Sequence, residues 1–242
     1  MNAITEKLVG FEALIRREHP ANGLIYPGDF IPIAEETCII LELGGYVLDR
    51  ACADVQKWRN AGMNNVRVSI NFSNVQVEHD AFIEDVLSAL DKHDLPGSVL
   101  EVEITENVII NDMSSAIRKL RELATHVIKV AINDFGTGYS SLSYLQQFPI
   151  NTLKIDNSFV SSINESEEAT SIVDAIVAMA KGLKLNLIAE GVESDPQLEC
   201  LKSLGCESIQ GYLFGKAEGV DRTTEILTCV GKGNLMRNLT SA

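Results

Sequence analysis

The chain has 242 residues, 45% of them hydrophobic, which is enough for a large core and is the usual size of one barrel domain. Its net charge of −14 argues against a nucleic-acid polymer as partner, because backbone phosphates are bound through lysine and arginine. Apolar stretches such as IVDAIVAMA stop short of a membrane span, and MNAITEK lacks the basic start and apolar middle of a signal peptide, so a soluble, cytoplasmic chain without membrane contact is expected.

Along the chain, seven apolar β-like runs recur: LVGFEAL, VRVSIN, VLEVEI, VIKVAIND, TLKI, LNLIAE and ESIQ. In order they carry or end on Glu12, Asn71, Glu103, Asn133 with Asp134, Lys154, Glu190 and Gln210. After the first run, PGDFIPIAEETCIILELGGYVLDRACADVQKWRNAG predicts a loop and two amphipathic helices, with Gly44-Gly45 as the break between them. Helical periodicity returns near residues 80–93, 112–125, 140–147, 166–181, 195–204 and 220–231, each between or after strand-like runs. Strands alternating with helices predict a parallel α/β sheet, and polar residues collected at strand C-termini favour a (β/α)8 TIM-like barrel. The 17 glycines and 6 prolines are dispersed and no repeat is evident, so one domain over residues 1–242 is expected.

A buried strand gains nothing from ending on a charge unless that charge meets water, a partner or a ligand. One strand-end carboxylate is as often surface decoration as function. In VLEVEI the two-residue alternation sends Glu101 and Glu103 to one face and Val102 and Ile104 to the other. The segment from Asn133 to Ser141 combines adjacent ligand-type residues with a glycine loop, but holds no P-loop lysine, which disfavours cradling of a nucleoside triphosphate. Cysteines at 38, 52, 200, 206 and 229 form no C-x-x-C pair, and His19, His79, His93 and His126 lack zinc spacing. Reduced thiols are expected, and any metal would have oxygen ligands. The adjacency of hard oxygen donors suits magnesium or manganese.

Taken together these motifs resemble the EAL-domain family of cyclic di-GMP phosphodiesterases over almost the whole chain. The resemblance rests on Glu12-Ala13-Leu14 extended to Arg16, Asn71 in VSINFS, EITE at 103–106, NDFGTGYSSLSYL from 133, LKID at 153–156, AEGVE at 189–193 and QGYLF at 210–214. It implies a barrel whose C-terminal end holds two divalent cations, Mg2+ or Mn2+, and the C-terminal part of a longer signalling protein. In the family pattern Glu12, Asn71 and Glu103 hold one metal, position 133 bridges both, Asp134 helps hold the second, and Glu190 is a further ligand or metal-water partner. Lys154 orients or helps deprotonate the attacking water, Gln210 hydrogen-bonds near the reacting centre, and Glu106 anchors the loop 134–145. Leu14 and Arg16 contact the substrate, Arg16 through a phosphate. The implied reaction opens cyclic di-GMP to linear pGpG. A homodimer is also implied, with Leu142, Tyr144, Leu145 and Phe148 as apolar contact candidates.

Three departures from the family pattern qualify this reading. Active members usually carry aspartate where this chain has Asn133, and a neutral amide bridges two cations poorly, so the second metal site and full activity are in question. The family's first antiparallel strand, with its Tyr-Gln-Pro-like sequence, has no counterpart before NAITEKLVGFEAL. Ala217 stands where proline commonly follows QGYLF. Two function classes therefore stay open: a metal-dependent phosphodiesterase weakened at Asn133, and a receptor module that binds cyclic di-GMP without cleaving it. A scaffold using the barrel only as a platform is weaker, given Arg16 and EITE.

Overall fold

The computed structural model of the chain describes residues 1–106, 113–136, 145 and 147–231. These fall into two compact units, Phe11–Lys129 and Met1–Gly10 with Val130–Ala242. Among the described residues no helix is long and apolar enough to cross a membrane.

In the first unit, strands β1 (Phe11–Ala13), β4 (Val68–Phe72) and β5 (Leu100–Thr105) run parallel in that order. An antiparallel hairpin, β2 (Arg17–His19) with β3 (Gly23–Ile25), follows β1. Then come α1 (Pro27–Glu36) and α2 (Ile40–Asn60), with α3 (Asn74–Glu78) and α4 (Phe82–Lys92) between β4 and β5, and α5 (Met113–Thr125) after β5. The register pairs Glu12 with Ser69 and Asn71 with Glu103. Alternation therefore puts Ile70, Val102 and Ile104 on one buried face and Ser69, Asn71, Glu101 and Glu103 on the other.

The predicted helix break at Gly44-Gly45 is corrected: α2 runs through both glycines, and the chain breaks instead at Thr37–Ile39, where Cys38 is left-handed at φ 59°. Gly44 is small for a packing reason. A Cβ there would stand 1.7 Å from Nε2 of Gln76, whose side chain is held in the reciprocal cap of α3 with Ser73. Glycine lets the two helices approach. The other end of α3 is pinned by buried Lys119 of α5, which donates to the carbonyls of Val77, Glu78 and His79 at 2.8, 2.9 and 2.8 Å. A cation at a helix C-terminus satisfies orphan carbonyls that the short helix leaves open.

The second unit has parallel strands β6 (Lys129–Phe135), β7 (Thr152–Ile155), β8 (Asn186–Ala189) and β9 (Ser208–Ile209) in that order. Helices α6 (Asn157–Ser161) and α7 (Glu167–Gly182) connect β7 to β8, α8 (Asp195–Leu204) connects β8 to β9, and α9 (Val220–Gly231) follows. α7 buries Val173, Ile176, Val177 and Ala180, the one-face spacing of an amphipathic helix. Residues 1–3 lie antiparallel to 207–209: Ile209 N–H donates to the Met1 carbonyl at 2.8 Å and Ala3 N–H to that of Glu207 at 2.7 Å. This is a single isolated antiparallel bridge, Asn2 with Ser208, outside the named strands, the first of which is β1.

All seven apolar runs contain strands, and the helices expected outside 140–147 are found. That remaining segment lies largely outside the described residues, as do Leu142 and Tyr144. Leu145 and Phe148 are buried within the chain, so neither is a free apolar contact surface. All five cysteines are free thiols.

Burial raises the thiols of Cys52 and Cys206 to about 11. Between pH about 9 and about 11 these thiols ionise in the unfolded chain but not in the folded one, so stability should fall as pH rises through that window. Urea midpoints at pH 8.5 and 10.5 check this: the drop should shrink by on the order of 1 kcal/mol for each thiol removed in Cys52→Ala or Cys206→Ala. An unchanged drop in the double variant would show that neither thiol is held neutral.

Candidate functional site

Each unit presents its own set of polar strand ends. In the first, Glu12, Asn71 and Glu103 come from three adjacent parallel strands and share the face opposite the buried aliphatic one. Asn71 Nδ2 donates to Glu12 Oε1 at 2.5 Å, and Glu103 is only 1% exposed. The donor chemistry fits a hard divalent cation: two carboxylates and one amide, which would turn to present Oδ1 in place of its hydrogen bond. Among the described residues no group of three His, Cys, Asp or Glu side chains has the arrangement of a metal site. The position of Asn71 is set tightly, since Phe72 is buried edge-on against Phe82 and Ser73 caps α3.

In the second unit, β6 pairs with β7 through Ile132 and Leu153, and next through Phe135 and Ile155. Asn133 and Asp134 thus stand opposite the single residue Lys154. This is a β-bulge. Ile132 and Phe135, three apart, both remain buried, which strict alternation forbids, while Asn133 and Asp134 are both half-buried. Asp134 takes a left-handed φ of 55°, a conformation tolerated best by Asp, Asn and Gly. The bulge frees Asp134 from the apolar face. The sequence shows the two adjacent side chains but not the extra residue that re-aims one of them.

Lys154 is 0% exposed, and its Nζ meets Glu190 Oε1 at 2.5 Å. The parallel register produces that pair: Lys154 lies beside Ile188 and Ile155 beside Ala189, so Glu190, two residues after Ile188, returns to the face of Lys154. Gln210 follows β9 and its N–H donates to the Ala189 carbonyl at 2.8 Å. The segments carrying Glu190 and Gln210 are stitched together by Val192 N–H to the Gln210 carbonyl and Leu213 N–H to the Val192 carbonyl, both 3.0 Å. Gly211 permits this contact; at φ 157° a Cβ there would lie 2.2 Å from the Val192 carbonyl oxygen. Asp156 of LKID serves locally, accepting from Ser158 N–H at 3.0 Å as the cap of α6.

The EAL domain model matches residues 1–217. The chain belongs to the EAL-domain family. It is 41% identical over 209 residues to the bifunctional diguanylate cyclase/cyclic di-GMP phosphodiesterase MucR of Pseudomonas aeruginosa, covering 86% of this chain and 30% of that protein. It is 40% identical over 211 residues to the signaling protein YkoW of Bacillus subtilis, covering 87% of this chain and 26% of that one. The chain thus spans about a third or less of the curated relatives it matches. Among solved structures it matches the PaMucR phosphodiesterase in complex with c-di-GMP at TM-score 0.87 and 40% identity, over 89% of this chain and 87% of that one. It also matches the EAL enzyme Bd1971, cAMP and cyclic-di-GMP bound, at TM-score 0.90 and 31% identity, over 94% of this chain and 62% of that one. The α/β barrel class expected from the alternation of strands and helices is the class of these neighbours.

Within the EAL domain the remaining expected residues lie close to the strand ends. Leu14 directly follows β1 and is 42% exposed. Half-buried Arg16 donates from Nη1 to the Ile15 carbonyl at 2.8 Å and stacks on Tyr26, a neighbour that no motif signals. Glu106 directly follows β5, and both its carboxylate oxygens are buried without a hydrogen-bond partner among the described residues. Such a carboxylate is costly to keep and calls for a role.

The Lys154–Glu190 pair gives a test of the site's architecture. Glu190→Leu leaves a fully buried ammonium without this carboxylate and should destabilise by on the order of 3 kcal/mol. The double change Lys154→Met with Glu190→Leu should recover at least half of that in urea denaturation. Additive losses across the cycle would show that the two groups are not coupled.

Proposed function

We propose that this EAL domain, one domain over residues 1–242, hydrolyses cyclic di-GMP to linear pGpG, slowly because of Asn133. The observation that carries the reading is the row of oxygen-bearing side chains, Glu12, Asn71 and Glu103, delivered by three adjacent parallel strands to one face. The phosphodiesterase activity and cyclic di-GMP named for the MucR relatives support it.

In this reading Glu12, Asn71 and Glu103 would hold one Mg2+ or Mn2+, Asn133 would be shared with a second, Asp134 would help hold that second ion, and Glu190 would be a further ligand or metal-water partner. Such cations supply Lewis-acid stabilisation of charge at the phosphate and activation of water. The chain's own groups do the positioning. Lys154, a buried point charge fixed by Glu190, orients the attacking water, and the Glu190 carboxylate is available to its proton. The water oxygen forms the new bond to phosphorus, the P–O3′ bond breaks, and the departing oxygen takes a proton. Gln210 holds hydrogen bonds near this centre and Leu14 and Arg16 contact the ligand; the loop 134–145 that Glu106 is expected to anchor lies largely outside the described residues. Arg16 offers a planar fork of donors matched to phosphate oxygens. Self-association and a cytoplasmic setting belong to the same proposal.

Asn133 favours one second reading, a receptor that binds cyclic di-GMP without turnover. An amide supplies one ligand oxygen and no charge, and a loss of about 3 kcal/mol of transition-state stabilisation slows turnover about 100-fold.

Two measurements test these readings. Titration with Mn2+, followed by electron paramagnetic resonance, should show binding that weakens at least about 10-fold in Glu103→Gln, since a charged ligand is lost. Binding unchanged in that variant would remove Glu103 from the metal site. In assays with cyclic di-GMP and Mn2+, Asn133→Asp should raise turnover at least about 10-fold while Kd changes much less. No gain in turnover would favour the receptor, and wild-type turnover equal to the variant's would show that Asn133 is no defect.

A further inference from the structure

Arg16 is held by something the EAL motifs do not contain. Its guanidinium carbon lies 5.1 Å from the centroid of the Tyr26 ring, within the range of a cation–π contact. The hairpin register creates this contact: Arg17 pairs with Ile25, so their chain neighbours Arg16 and Tyr26 meet just beyond the paired residues. Tyr26 is fixed from both sides. Ile25 is the last residue of β3, Pro27 is the first of α1, and the Tyr26 carbonyl accepts from Asp29 N–H at 3.0 Å.

Two further observations show that the contact is not core packing. Tyr26 is 56% exposed, so burial of apolar area is not its main effect. In a chain with 34 acidic and 20 basic residues, Arg16 makes no ion pair among the described residues, only the bond from Nη1 to the Ile15 carbonyl. A guanidinium has five N–H donors in a fixed fork. Held by a ring face and one carbonyl, Arg16 keeps donors for an anion and loses less side-chain freedom when the anion arrives.

We propose that Tyr26 is a positioning residue that preorganises Arg16 for a phosphodiester ligand, acting on affinity and not on bond cleavage. This rests on the reading of Arg16 as the phosphate contact. Because the ring is exposed, the effect is modest: removing the aromatic face should weaken binding about two- to five-fold.

The test compares Tyr26→Phe and Tyr26→Leu with wild type and Arg16→Ala. Cyclic di-GMP binding is measured calorimetrically in EDTA so that no turnover intervenes, and the Arg16 δ-methylene proton shifts are read by NMR in the free protein. Tyr26→Phe should bind within about two-fold of wild type and keep the ring-current shift, because the π face is retained. Tyr26→Leu should lose the shift and weaken binding about two- to five-fold, with kcat unchanged in the Mn2+ assay. If Tyr26→Leu binds like wild type while Arg16→Ala does not, Tyr26 is no positioning residue but the Arg16 reading stands. If Tyr26→Phe loses as much as Tyr26→Leu, the hydroxyl and not the ring acts, and the proposal is overturned. If Arg16→Ala binds like wild type, or if wild type does not bind, the reading beneath the proposal fails first. The NMR shift keeps the stacking claim testable even if Tyr26→Leu is less stable.

Discussion

The constraint on which this protein depends is the two-residue alternation of a parallel strand. A helix-covered face must be apolar, and the same backbone then has to aim every second side chain the other way. In β4 and β5, Ile70, Val102 and Ile104 satisfy the first demand, and Asn71 and Glu103 are carried to the opposite face by the same register. The register therefore couples core and site. A one-residue slip in β5 would turn Glu103 onto the aliphatic face and Val102 onto the polar one, so the hydrophobic core enforces the position of the polar row.

The exception is at β6. Two neighbouring residues cannot both leave an apolar face under strict alternation, yet Asn133 and Asp134 do, because the bulge opposite Lys154 adds one residue and Asp134 accepts a left-handed backbone. The strain falls where two side chains with ligand-type atoms stand side by side, and the surrounding contacts hold it: Ile132 and Phe135 are both buried. Lys154 fits the same economy of placement. A fully buried ammonium is unfavourable alone and is tolerated beside Glu190, which ties β7 to the end of β8.

Much of this was legible in the sequence because it follows from periodicity. The seven apolar runs and their polar ends map onto β1 and β4 through β9, since a strand's chemistry is written locally. What escaped was written non-locally. Gly44-Gly45 reads as a helix break, but Gly44 makes room for Gln76, a residue 32 positions later in the chain. The hairpin of Arg17–His19 with Gly23–Ile25 has only three residues a strand, mostly exposed, which is too short to show a hydrophobic alternation. Lys119 sits in an amphipathic helix where a lysine ordinarily faces water, and only the fold brings it to the carbonyls ending α3.

Those non-local contacts also hold the expected ligand residues in place. Asn71 is an exposed amide whose identity alone says little. Its backbone, however, is fixed by the buried Phe72, by the Ser73–Gln76 cap and by Lys119 at the far end of α3. Relaxing that support would change the distance to Glu12 before it changed the core. Asn133 is different in kind. Its placement by the bulge is as constrained as that of Asp134, so the exchange of a carboxylate for an amide there alters charge while leaving the geometry that aims it. In the proposed reading, function at this position is therefore limited by electrostatics and not by folding, so that a single oxygen-for-nitrogen exchange would separate cleaving a ligand from merely holding it.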